Sequence, residues 1–106
     1  MFRMDGLVMV GDYERAVSIA ESLNPEAHDQ ARQVCYWRDY GRALAHLPKR
    51  HGDAVRALRR AELISPHRIQ RNPIVREVLA VLLPGARRDA VGRELRGMAH
   101  RAGLPV

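Results

Sequence analysis

The run from Gln33 to Pro66, QVCYWRDYGRALAHLPKRHGDAVRALRRAELISP, decides the fold. Its apolar and small residues recur three and four positions apart and are interrupted at Pro48, which predicts two antiparallel helices closed by a short turn. The first helix puts Trp37, Gly41, Leu44 and Leu47 on one face, and the second sets Ala54, Leu58 and Ala61 on the face opposing it. Large residues therefore meet small ones.

In that arrangement the stretch resembles one tetratricopeptide (TPR) unit. Such a unit is a helix-turn-helix with a large residue and then Gly early in its first helix, Ala twice in its second, and Pro just after. Trp37, Gly41, Leu44, Ala54, Leu58, Ala61 and Pro66 stand at these signature positions. The resemblance implies a scaffold that recognises rather than reacts.

Outward from this run, the helical spacing continues on both sides. Met4, Leu7 and Val8 predict the end of a helix over residues 2 to 10, up to a turn at Gly11-Asp12. Asp12 then caps a helix carrying Tyr13, Ala16, Val17, Ala20 and Leu23, which Asn24-Pro25 stops. On the repeat pattern this is the second helix of a unit whose first helix would need residues before Met1, so the first repeat is expected to be incomplete. The long central helix is predicted from about Gln30 to Leu47, and its partner from Asp53 to about Ile64.

The connector SPHRIQRNP can hold one short helical turn. Asn72-Pro73 is a start signal, with Asn as cap and Pro at the first helical position, where its missing N–H costs nothing. Ile74, Val75, Val78, Leu79, Leu82 and Leu83 make the next helix the most apolar, expected to be buried on more than one side until Pro84-Gly85 ends it. The last helix is predicted from about Ala86 to Ala102, with Val91, Leu95, Met98 and Ala102 on one face and Gly103 as its cap. Gly92 and Gly97 inside it each cost about 1 kcal/mol against Ala, so close helix contact or a frayed end is expected there.

The triplets Arg15-Ala16-Val17, Asp53-Ala54-Val55 and Asp89-Ala90-Val91 are spaced by 38 and 36 residues, against the usual TPR period of about 34. The fold expected is all-α: antiparallel helix pairs stacked as a short TPR-like α-solenoid of about five to six helices, in a single domain over residues 1 to 106. Residues 86 to 106 are read as a C-terminal capping helix, because the end of a solenoid requires a polar outer side.

Composition agrees with close-packed helices: 46% of residues are apolar but only 5% are aromatic, leaving Ala and Leu to do most of the packing. The net charge is +6, and it is uneven. Residues 1 to 53 hold 7 basic and 8 acidic groups, residues 54 to 106 hold 11 and 4, and Lys49 is the only lysine. A basic half can meet nucleic acid or an acidic partner, or simply solvate outer helix faces. The candidate basic patch is Arg56, Arg59, Arg60, Arg93 and Arg96.

The signals for chemistry are sparse. Cys35 is alone, which excludes a disulfide within one chain, and a reducing cytoplasm is the expected compartment. The opening MFRMDGLVMV lacks a basic n-region and a long apolar core, so neither a signal peptide nor a membrane span is expected. His28, His46, His51, His67 and His100 show no metal-ligand spacing, and the only pair that could approach flanks a turn, His46 and His51. No nucleophile setting or glycine-rich phosphate loop is present, so no enzyme activity and no cofactor are expected. The inner helices of a repeat array line a groove in which aromatics and arginines recognise ligands. Arg32, Tyr36, Arg38, Asp39 and Arg42, beside the core Trp37, are the candidate groove contacts.

Taken together, YGRALAHL, GDAVRALRRAELISPHRIQRNPIVREVL and RRDAVGRELRGMAHRAGLPV resemble the C-terminal TPR-like region of actinobacterial XRE-type transcriptional regulators. That family implies a helix-turn-helix domain that binds DNA and repeats that receive a signal through a ligand, a peptide or a partner protein. The expectation is therefore a non-catalytic binding and dimerisation module, a homo-oligomer, reaching DNA only through a domain absent from this chain. The segment ELRGMAHRAGL also resembles the opening of a helix-turn-helix domain, but its recognition helix would have to follow Val106. The alternative is a free-standing adaptor that binds an acidic peptide through the arginine-rich half.

Overall fold

A computed structural model describes residues 11–105. The helix end expected over residues 2 to 10 lies outside them. Among the described residues there are six α-helices and no strand: α1 (Tyr13–Ser22), α2 (Gln30–Ala45), α3 (His51–Ile64), α4 (Pro66–Gln70), α5 (Pro73–Leu82) and α6 (Ala90–Arg101). Short 3₁₀ turns follow α1 at Pro25–Ala27 and α5 at Leu83–Gly85.

Four helices begin where a short acceptor side chain takes up orphan backbone donors. Asp12 accepts from the Arg15 amide, Asp29 from Arg32, Asn72 from Ile74 and Val75, and Asp89 from Gly92. α3 starts two residues before Asp53, at His51, without a side-chain cap. Its Asp53 lies in the first turn instead, held by Arg50 and Arg56. α6 ends in the turn predicted for Gly103, whose φ is +82°. There the Leu104 amide bonds Ala99 O and the Gly103 amide bonds His100 O, which satisfies the last carbonyls.

The first three helices pair in chain order, and α5 and α6 return to pack against α2 and α3. Trp37 meets Arg60 and Gly41 meets Ala54 and Leu58, so α2 and α3 are antiparallel. Tyr13 stacks on His46 while Tyr36 reaches Ala20, so α1 and α2 are antiparallel too. α3 and α6 lie side by side and parallel, Arg59 meeting Glu94 and Glu62 meeting Arg101. The helices pack compactly, with a radius of gyration of 12.9 Å.

The core joins Ala16, Val17 and Ala20 of α1 to Leu44, Leu58, Leu79, Leu95 and Met98. Gly41 allows a close approach of α2 to α3. A Cβ added there would stand 2.8 Å from Leu58 Cγ and 3.3 Å from Ala54 O, so the Leu58 side chain occupies the room that a side chain would have filled.

Besides α3 starting at His51 and α2 ending at Ala45, three details differ from expectation, each for a local reason. α5 buries Val75, Val78, Leu79 and Leu82 but leaves Ile74 42% and Val81 61% exposed, because it turns only one face to the core. α6 starts at Ala90 rather than Ala86, since residues 86–89 fold back on its first turn. A Cβ on Gly92 would lie 1.8 Å from Arg87 O, which is why glycine stands there. Leu23 falls off the α1 stripe because the chain turns extended at that residue.

Candidate functional site

Two groups of polar side chains stitch the helices together, and they decide which of the candidate residues remain available. The first joins α1, α2 and α3. Tyr36 donates its hydroxyl to Ala20 O at 2.7 Å and Tyr40 donates to Glu21 Oε2 at 3.0 Å, while Arg50 bridges Glu21 and Asp53. Hydrogen bonds from Arg50 and Tyr40 hold Glu21 below the usual carboxylate range. Burial and the bond to Glu21 push Tyr40 up to about 12.

The second centres on Glu62, which is only 2% exposed. Arg101 donates to it twice, Nε to Oε2 at 3.0 Å and Nη2 to Oε1 at 2.8 Å. Arg59 Nη1 donates to Oε1, and Gln70 Nε2 to Oε2 at 3.1 Å. Burial raises the Glu62 pKa, but the bonds from Arg101, Arg59 and Gln70 outweigh it and leave the carboxyl below its ordinary value. One carboxylate thus ties α3 to α4 and α6. Gly97 leaves the space in which the Arg101 guanidinium lies, 3.0 Å from where a Cβ would be.

The five α2 candidates are not brought to one place. Arg32 is exposed in the first turn, and the Tyr36 hydroxyl is turned to α1. Arg38 pairs with its neighbour Asp39 at 3.0 Å. Arg42 lines a small cavity of about 180 Å3 with Tyr13, His46, Ile74 and Val81. Trp37 stands edge-on to Tyr36, with the Arg60 guanidinium 4.8 Å above its ring.

The basic candidates divide. Arg96 donates to Arg87 O and lines a separate hollow beside Leu83 and Leu104. Arg93 is exposed on α6. Arg56, Arg59 and Arg60, by contrast, share one wall of a cavity of about 630 Å3 between α3 and α6, with Val55, Leu63 and Val91 among its apolar lining. A second cavity of about 520 Å3 adjoins it, shares Val55, Arg56 and Val91, and extends to Lys49 and Arg87. Joined at these shared residues, the two make a trough beside α3 whose other wall is the first turns of α6.

Sequence reasoning placed the arginines on a solvated face and missed the parallel α6 that turns this face into a concave wall. Leu63 carries the signal that could have found it: a large apolar residue, 64% exposed, next to the arginine run. Among the described residues no group of His, Cys, Asp and Glu is arranged to hold a metal ion. No helix among them is long and apolar enough to cross a membrane. Comparison with known proteins finds no family model that matches the chain, and no curated protein or solved structure that matches it significantly.

Proposed function

We propose that the chain is a TPR-like regulatory module that binds a protein, peptide or small signalling ligand, dimerises, and serves a bacterial transcriptional regulator in the cytoplasm without catalysis of its own. The reading is carried by the α2–α3 pair, in which Leu58 of one helix fills the space above Gly41 of the other at the positions where a TPR unit sets large against small. The order of packing supports it further. α1 lies on α2, α2 on α3, and α5 and α6 follow beside them.

Dimerisation is supported by the apolar side chains left in solvent at the edge of so small a stack, Ile74 and Val81 on α5. Sedimentation equilibrium tests it. The expected mass is twice the 12.0 kDa of one chain, falling to one chain for Val81→Glu. A single-chain mass at all concentrations contradicts the dimer.

The second reading, a free-standing adaptor for an acidic partner, is favoured by Arg56 and Arg60 on the wall of the trough. Both readings describe a surface that binds. They part on whether a DNA-binding domain acts with it.

A further inference from the structure

We propose that the trough between α3 and α6 is the docking site for an acidic amphipathic helix of a partner protein. The inference rests on the reading of the chain as a binding module and names the partner of one surface. Its shape comes first. α3 has 14 residues, so the trough that follows it is about 20 Å long, room for three to four turns of a partner helix. α3 walls one side along its length and the first turns of α6, from Ala90 to Leu95, wall the other, which leaves an open furrow rather than a closed pocket in which a partner helix can pack.

The floor sets the first requirement on the partner. Val55 and Val91 line both halves, and Leu63 stands 64% exposed at one end. An apolar stripe at every third or fourth position of a partner would cover these side chains. A nucleic-acid strand has no such stripe, and no Phe, Tyr or Trp lines the trough to stack on its bases.

The rim sets the second. Lys49 and Arg87 stand at one end, Arg56 in the middle and Arg60 at the other. Arg59 is engaged by Glu62 and Glu94, so it is part of the wall. The carboxylate partners of Arg56 and Arg60 are exposed, Asp53 at 3.1 Å and Glu26 at 3.8 Å, and acidic groups of a ligand can replace them at little cost while Arg60 keeps its place over Trp37. Cations flanking an apolar furrow select carboxylates flanking an apolar stripe.

The test uses a synthetic helical peptide with the 14-residue length of α3, carrying Leu at helical spacing and Glu on both flanks, and follows its fluorescence anisotropy on addition of the whole chain. The expected result is saturable binding that weakens with salt. It should weaken about tenfold or more in Arg56→Glu/Arg60→Glu and in Leu63→Glu. Arg76→Glu, an exposed arginine on α5 away from the trough, should leave it unchanged. Should Leu63→Glu fail to keep its helical circular dichroism, the double arginine variant carries the test, both of its sites being exposed.

Equal binding of the same peptide with Lys for Glu overturns the charge argument. Competition by single-stranded or duplex DNA that is lost in the same variants overturns the choice of a helix. Absence of peptide binding to the unmodified chain overturns the proposal, and a chain that still sediments as a dimer would then keep the module reading intact.

Discussion

Arg101, in the last turn of α6, lies on Glu62, near the end of α3, through two parallel bonds of 3.0 and 2.8 Å between residues 39 apart in sequence. This pair ties together the C-terminal ends of the two helices that line the trough. Removing the carboxylate leaves two guanidinium groups in a setting built around it. Breaking a buried pair costs about 3–5 kcal/mol, and partial exposure of both arginines should bring Glu62→Gln to about 2–3 kcal/mol. Arg101→Ala should cost less, because Arg59 and Gln70 still hold Glu62. Urea denaturation of the two variants checks the order.

The same carboxylate sets an acid limit. A group whose pKa is depressed in the fold contributes stability above its unfolded value of about 4.3 and loses it as pH falls through the lower folded value. Stability measured against pH should therefore drop below pH about 4. In Glu62→Gln that limb should be shallower, starting from a lower plateau. Parallel limbs in the two proteins would show that Glu62 does not supply the proton uptake.

Gly41 and Leu58 should behave as one unit. A methyl on Gly41 gains about 1 kcal/mol of helix propensity but meets Leu58 Cγ at 2.8 Å, and overpacking of this kind costs about 1–3 kcal/mol. Gly41→Ala alone is expected to destabilise by about 1 kcal/mol. In the Leu58→Ala background, itself costly by about 2–5 kcal/mol, the same change should be neutral or stabilising. A double-mutant cycle from denaturation curves checks the coupling, and additive values would contradict the close approach.

Tyr40 gives an alkaline counterpart. Burial and the bond to Glu21 raise its pKa to about 12, so the fold favours the neutral phenol. That contribution is full below an unfolded value of about 10 and is lost as pH rises through the folded value. Tyrosinate absorbance should include a late step near the value of about 12, absent in Tyr40→Phe.

Much of the fold was legible because local rules and tertiary packing agreed. Asp12 and Asn72, read as caps from the sequence, each stand one residue before a helix and cap it. Ala54, Leu58 and Ala61 fall on one stripe and are all buried. The site was less legible, since the walls of the trough come from helices far apart in sequence. Helical spacing shows which side of α3 is polar but not that α6 will lie along it. Glu62 was invisible for a related reason: a glutamate among arginines reads as a solvated pair until Arg101 arrives from the far end of the chain. Gly92 was flagged as a cost, but its partner, the backbone at Arg87, is a contact within the turn that precedes α6.

Amide chemical-shift mapping of the whole chain with the acidic amphipathic peptide tests the central claim most directly, because it asks whether a surface binds and which one. The account predicts perturbations concentrated on α3 and α6, around Val55, Leu63 and Val91. Perturbations confined to α2 between Arg32 and Arg42, or none at saturating peptide, would contradict it.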